Sequence, residues 1–272
     1  MVKNTTTAHS RSRSKGRRSP LATVALIVIG LAATGGTYAM FTGSASADTQ
    51  TAAVSQSSVD QGKKLFAANC ATCHGLSADG VDGVGPSLYG VGAAAVNFQV
   101  GTGRMPLANQ GVQAEKKPPQ FTNSQVIDIG EYVATLSPGP AIPSSRYTAG
   151  NADAATGAQL FRVNCAMCHN VAGAGGALTE GKYAPPLTGS TGKHIYEAMV
   201  TGPQNMPVFN DKNITPAQKA DIITYLKYLD KNPSPGGFDL GNLGPVAEGL
   251  FIWIFGLGAV VGFTIWIAAK AS

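Results

Sequence analysis

Charged residues are scarce in this chain. They make up 13% of its 272 residues, whereas apolar residues make up 44%, and so apolar a composition excludes an intrinsically disordered protein. The formal net charge of +5 comes from the amino-terminal end, because residues 1–20 hold six basic residues and no acidic one. The stretch 43–245 holds 13 basic and 14 acidic residues. A basic surface for nucleic acid is therefore excluded over most of the chain.

Cysteine is scarce as well, with four residues in the whole sequence. They form two Cys-x-x-Cys-His motifs, so none is left for a disulfide framework. A thioredoxin-like redox pair would need a βαβ context, and a zinc ribbon would need its two pairs roughly 15 to 20 residues apart. The motif is instead typical of covalent haem c attachment. We expect two haem c groups per chain, bound covalently at Cys70, Cys73, Cys165 and Cys168, with His74 and His169 as iron ligands.

The two motifs belong to an internal repeat. Residues 62–74 and 157–169 are identical at eight of thirteen positions. Each copy closes with a helical pattern, at 124–136 and at 216–229. Two copies of one small domain are the simplest explanation of this repetition.

Strand-like alternation of polar and apolar residues is lacking in both copies, which predicts mainly α domains with long glycine-rich loops. Thr215 and Gln218 form a capping box at the start of the second closing helix. Each domain has only about 80 residues, too few to bury a large core, so we expect a bound group to complete it.

Methionine is the expected sixth ligand of each iron, because a thioether raises the reduction potential of a histidine-ligated haem. Met105 and Met206 precede proline, follow the motif histidines by 31 and 37 residues, and occupy equivalent places in the repeat. Core packing is the ordinary role of methionine, but this equivalence favours ligation. Met199 and His194 are the alternatives in the second copy, although neither has a counterpart ligand in the first.

Two runs of about 21 residues without a charge, 21–41 and 249–269, are each long enough to cross a bilayer as a helix. Because basic residues precede the first run, the positive-inside rule places the tail in the cytoplasm and both domains outside it. A cleaved signal peptide is the alternative for the first run, with cleavage after Ala47. In the second run, Gly258 and Gly262 are spaced for close contact with another membrane helix.

The expected fold class is mainly α, with two tandem domains between an N-terminal and a C-terminal transmembrane helix. The expected segments are a basic cytoplasmic tail at 1–20, a transmembrane helix or signal peptide at 21–42, a linker at 43–58, the first domain at 59–138, a linker at 139–150, the second domain at 151–232, a linker at 233–245 and a transmembrane helix at 246–270.

Several stretches together resemble a known family. Each half is similar to a class I cytochrome c domain, and the whole is similar to the dihaem cytochrome c subunit of the actinobacterial menaquinol:cytochrome c reductase, the cytochrome bcc complex. The resemblance is carried by the two motifs, by the stretch 91–106, by the stretch 194–207 and by the tail 235–266.

The resemblance implies an electron-relay subunit of a quinol–cytochrome c reductase, without a quinol site of its own. In the family, a cytochrome b subunit oxidises menaquinol, a Rieske iron–sulfur subunit reduces one haem, and the other haem reduces a terminal cytochrome oxidase. It also implies a multi-pass protein of the cell membrane with extracytoplasmic haems. The alternatives are a dihaem peroxidase and a free-standing membrane-anchored electron carrier. The methionine candidate in each half argues against the peroxidase, which needs an open iron.

Overall fold

The computed structural model describes residues 20–42, 55–232 and 249–271. The predicted basic tail, the candidate cleavage site at Ala47 and the linker 233–245 lie outside these residues. The chain divides into two compact units, residues 1–49 and 50–272. The first unit contains helix α1, Pro20–Thr42, whose described side chains, Leu21–Gly36, form a shorter apolar stretch.

The first copy of the repeat begins at Ser55, whose side-chain oxygen accepts a hydrogen bond from the backbone N–H of Ser58. Its closing helix starts with a capping box of Thr122 and Gln125, a match to the one predicted in the second copy. The helices of this half are α2 (Gln56–Asn69), α3 (Ala71–His74), α4 (Gly92–Gly101) and α5 (Asn123–Leu136).

After a short helix in the predicted linker 139–150, the second copy repeats this order of helices. The capping box of Thr215 and Gln218 is confirmed, and so are the two predicted closing helices. A short antiparallel ladder was not predicted, because strands of two residues show no alternation in sequence. The elements are α6 (Ser145–Thr148), α7 (Ala154–Asn164), α8 (Ala166–His169), β1 (Gly176–Ala177), β2 (Tyr183–Ala184), α9 (Gly192–Thr201) and α10 (Pro216–Lys231).

The last described helix is α11, Gly249–Ala271, in which Ile252–Leu257 is π-helical. Among the residues that the structure describes, it is the one helix long and apolar enough to cross a membrane, with a mean hydropathy of 2.2. The C-terminal membrane helix is therefore supported by length and composition. A membrane crossing by α1 stays a prediction.

The first and last helices of each half pack closely at a glycine. A Cβ on Gly62 of α2 would lie 1.9 Å from the carbonyl oxygen of Asp128 in α5. In the second half, a Cβ on Gly157 would lie 2.0 Å from the carbonyl oxygen of Asp221. Only glycine permits these backbones to approach so closely.

The same aromatic pair fills the core beside each of these contacts. The ring centroids of Phe66 and Tyr132 are 5.4 Å apart at 52°, and those of Phe161 and Tyr225 are 5.5 Å apart at 52°. Each pair has the tilted arrangement that aromatic rings prefer. The two halves are thus built on one packing scheme as well as one sequence pattern.

The predicted linker 139–150 packs on both halves. The N–H of Ala94 donates to the carbonyl oxygen of Pro140 at 3.0 Å. A Cβ on Gly92 would lie 2.4 Å from this Pro140 oxygen, and a Cβ on Gly192 would lie 2.1 Å from the carbonyl oxygen of Thr148. Both α4 and α9 therefore begin with glycine because the linker passes over their first turns.

The two halves contact each other through the equivalent helices α4 and α9. The ring of His194 meets the edge of Phe98 at a centroid distance of 6.2 Å, and its Nε2 lies 3.3 Å from the position a Cβ on Gly101 would take. The side-chain amide of Gln113 adds two bonds of 2.9 Å, donating to the carbonyl of Tyr183 and accepting from its N–H.

Asn97 and Glu197 are buried at equivalent places in α4 and α9. Each is the sixth residue of its helix, and they are 3% and 0% exposed. Glu197 shares a helix face with His194, which contacts α4. Neither carboxyl oxygen of Glu197 has a hydrogen-bond partner among the described residues, nor has Asn97 Oδ1. Burial raises the pKa of Glu197 to about 8, against a smaller lowering by Lys193.

We expect Glu197→Gln to stabilise the protein at alkaline pH. Between pH 4.5, the usual pKa of this group, and about 8, the folded protein keeps a proton that the unfolded chain releases. Wild-type stability therefore falls as pH rises through this window, and the loss levels off above it. The variant has no such proton, so its advantage should grow to a few kcal/mol above pH 8.

The measurement is denaturant unfolding of both proteins at pH 5 and pH 9. Glu115→Gln is the matched control, because Glu115 is exposed. A pH dependence that is the same in wild type and in Glu197→Gln would contradict a neutral, buried Glu197.

Candidate haem sites

Each Cys-x-x-Cys-His motif forms a tight turn at the end of a helix. Cys70 ends α2, and Cys73 and His74 lie in the single turn of α3, where the N–H of His74 donates to the carbonyl oxygen of Cys70 at 3.0 Å. Cys165 and His169 repeat this arrangement at 2.9 Å. One helical turn thus carries two thiols and an imidazole. None of the four cysteines forms a disulfide bond.

The structure brings each candidate methionine to the same core as its motif. Cys70 and Met105 pack against the cluster around Phe66. Cys165 and Met206 pack against the cluster around Phe161.

The first thiol of each motif lies in an apolar setting. Burial, followed by the neighbouring thiol, raises the pKa of Cys70 to about 11. The same causes raise the pKa of Cys165 to about 11. Such apolar surroundings favour binding of an apolar porphyrin edge over binding of a hydrated metal ion.

Both motif histidines are oriented by a backbone carbonyl. The Nδ1 of His74 lies 2.7 Å from the carbonyl oxygen of Pro86, and the Nδ1 of His169 lies 3.0 Å from that of Pro185. A carbonyl only accepts hydrogen bonds, so Nδ1 must carry the proton. This leaves the lone pair on Nε2, the atom that a histidine ligand offers to a metal when Nδ1 is held in this way.

The alternative ligands occupy different environments. Met199 is 2% exposed and lies inside the core of the second half. His194 is half-buried against α4, and burial together with three nearby cations, Lys193, Lys116 and Arg104, lowers its pKa to about 4. The ring of His194 contacts Phe98 of the other half and does not lie beside a Cys-x-x-Cys-His motif.

Several structural features were not predicted from the sequence. The carbonyls of Pro86 and Pro185 had a weak signal, because a proline follows each motif histidine, by 12 and 16 residues, but a backbone acceptor cannot be recognised from residue type. Asn97 and Glu197 differ in residue type, so their equivalence is visible only once both helices are placed.

Comparison with known proteins agrees with this geometry. Residues 59–137 match the family model for cytochrome c, and residues 152–226 match that for cytochrome C oxidase, cbb3-type, subunit III. The cytochrome bc1 complex cytochrome c subunit of Corynebacterium diphtheriae is 40% identical over 96% of this chain and 98% of its own length. The chain belongs to this family of cytochrome c subunits. Its Mycobacterium bovis and Mycobacterium leprae members are each 42% identical, over 96% and 90% of the chain.

Family membership establishes an electron-transfer cytochrome c with two cytochrome c domains. The donor set fits haem c in each of them. The two thiols of a motif match the thioethers of that group, and the histidine and methionine match its axial ligands. The apolar core beside each motif supplies the dry surroundings that such a group needs.

Gly85 holds the Pro86 carbonyl in place, because a Cβ on it would lie 2.4 Å from the carbonyl oxygen of Cys73. We expect Gly85→Ala to push this segment off the α3 turn and to cost roughly 1–3 kcal/mol. Thermal unfolding checks this. Gly111→Ala is the control, since the nearest atom to its added Cβ is 3.9 Å away; equal unfolding temperatures for the two variants would contradict the close contact.

Proposed function

We propose that this chain is the dihaem electron relay of a bc1-type quinol–cytochrome c reductase. Cys70, Cys73 and His74 hold one haem c, and Cys165, Cys168 and His169 hold the other. Met105 and Met206 complete the two irons. The observation that carries the proposal is the repeated pairing of each motif histidine with a proline carbonyl, beside a methionine on the same core.

Haem c supplies a one-electron redox centre when bound. The motif histidine and the methionine would be this chain's two ligands to the iron, and the apolar core beside them would exclude water from it. The proline carbonyls hold the Nδ1 protons and aim Nε2 of each histidine. With Met105 and Met206 as ligands, neither iron would have a position open to peroxide, and this would favour electron transfer over peroxide chemistry.

The relatives are named as cytochrome c subunits of a bc1 complex, and this supports a partnership in the same kind of complex. We propose that a cytochrome b subunit oxidises menaquinol and that the Rieske iron–sulfur subunit passes electrons to one of the two domains. The other domain reduces a terminal cytochrome oxidase. Two covalently bound haems on one chain keep donor near acceptor at a high effective concentration, which a diffusing carrier lacks.

We place the protein in the cell membrane, with α1 and α11 as anchors and both haem domains on the extracytoplasmic side. The length and hydropathy of α11 support one anchor. The basic residues of 1–20 support the orientation, because positive flanks stay in the cytoplasm.

Met105→Ala and Met206→Ala test the axial ligands. Each variant should lose about half of the long-wavelength sulfur-to-iron charge-transfer absorbance of the ferric protein and should bind carbon monoxide when reduced. Met167→Ala is the control, because this side chain is exposed.

A haem-stained denaturing gel should show attachment intact in all three variants. Full absorbance in both ligand variants would contradict the assignment, and His194→Ala would then be the next variant for the second domain.

The partnership is tested on α11. Gly258 and Gly262 lie one turn apart on one face, where the absence of side chains allows another membrane helix to approach. The Gly258→Leu, Gly262→Leu double variant should dissociate from the detergent-purified assembly of reductase and oxidase, or the assembly should lose its quinol-dependent oxygen consumption. The haem spectra of the variant should be normal. Ala268→Leu adds bulk elsewhere on α11 and should have no effect. An assembled, active double variant would show that α11 is only an anchor.

A further inference from the structure

Lys219 is a buried cation in the second half. Its side chain is 0% exposed, and buried lysines are rare because removing an ammonium from water is costly. The capping boxes at Thr122 and Thr215 align the closing helices, and the residue equivalent to Lys219 in the first half is then Val126, a core residue. The fold itself is therefore satisfied by valine at this position.

The ammonium of Lys219 binds the segment that follows Met206. Its Nζ donates to the carbonyl oxygen of Ile214 at 2.6 Å and to Asp211 Oδ1 at 2.7 Å. The same Nζ lies 5.6 Å from the ring centroid of Tyr196, over the ring face. These two hydrogen bonds hold the C-terminal part of the segment between Met206 and α10 against α10.

In the first half, the ammonium of Lys117 binds the segment next to Met105, although Lys117 is not at the position equivalent to Lys219. Its Nζ donates to the carbonyl oxygen of Pro106 at 2.9 Å, and its backbone N–H donates to the carbonyl oxygen of Thr102 at 3.3 Å. A Cβ on Gly103 would lie 2.1 Å from the carbonyl oxygen of Lys117. One residue therefore binds the chain on both sides of Met105.

The two lysines do not occupy equivalent positions, so common descent of the repeat does not explain them. They have in common an ammonium that donates to a backbone carbonyl downstream of the candidate methionine. Hydrogen bonds from a charged donor are stronger than neutral ones, so each holds a loop that would otherwise open easily.

We propose that Lys117 and Lys219 are positioning residues that hold Met105 and Met206 in place as iron ligands. The inference rests on the proposed ligation by these two methionines. A loop held in one conformation keeps its thioether available to the iron and lowers the fraction of iron open to other ligands.

The experiment uses the full chain with both haems attached. Lys117→Met and Lys219→Met remove the ammonium but keep an apolar stem of similar length. Lys116→Met and Lys212→Met are the controls, because they remove the same charge from exposed neighbours in each half. The readouts are the denaturant midpoint for loss of the charge-transfer absorbance, the affinity of the reduced protein for carbon monoxide, and helix content by circular dichroism.

We expect each positioning variant to lose its half of the absorbance at lower denaturant than its control. The affinity of that iron for carbon monoxide should rise roughly tenfold, with helix content unchanged, as expected for loss of one charge-assisted hydrogen bond. Lys117→Arg keeps a charged donor and should retain more of the absorbance than Lys117→Met. If Lys219→Met fails to fold, Asp211→Asn tests the same tie from the loop side and should give a smaller shift in the same direction.

One contrary result is that the lysine variants behave like their controls while Met105→Ala opens its iron to carbon monoxide. That result would overturn the positioning role and leave the ligand assignment intact. A Met105→Ala variant with unchanged absorbance would overturn both. A shift in the midpoint of helix loss equal to that of the absorbance would also overturn the proposal, because it would show a general loss of stability instead of a loosened loop.

Discussion

The close contact between the first and last helix of each half is the constraint on which the rest of the structure depends. The helices touch backbone to backbone at Gly62 and at Gly157, so their axes are fixed relative to each other. The end of the first helix carries the Cys-x-x-Cys-His turn. Fixing that helix therefore fixes where two thiols and an imidazole leave the core. The first cysteine of each motif follows a phenylalanine, Phe66 or Phe161, by four residues. These two rings pack against the closing helices and so help to fix the position of each motif.

The two halves preserve this scheme and differ where each half holds its methionine segment. Val126 belongs to the core in one half, and the buried Lys219 takes its place in the other. Lys117 supplies the corresponding ammonium in the first half, from the segment just before the closing helix rather than from within it. Core positions shared by both halves serve packing, whereas positions that differ at a cost to stability mark a local function. A buried ammonium is such a cost.

The features predictable from the sequence were those carried by short-range patterns. Both closing helices followed from apolar spacing, and the start of the second followed from the capping box of Thr215 and Gln218. Both motifs followed from the spacing of cysteine and histidine. The contact between α4 and α9 was not predictable, because it joins residues about a hundred positions apart and has no local signature. His194 illustrates this limit. Its residue type made it a possible iron ligand, whereas its place against Phe98 depends on how the two halves pack.

The two helices through which the halves meet also carry polar groups that a purely apolar core would avoid. Phe98 is an apolar residue that gains from burial, but Asn97 Oδ1 and both carboxyl oxygens of Glu197 have no hydrogen-bond partner among the described residues, and each buried unpartnered group costs free energy. A protein of two independent carriers would gain nothing from such a contact. In the electron relay that we propose, packed halves would keep the two haem sites at one separation, whereas a flexible linker would let that separation vary. The linker supports this view, since Pro140 and Thr148 lie against the first turns of α4 and α9.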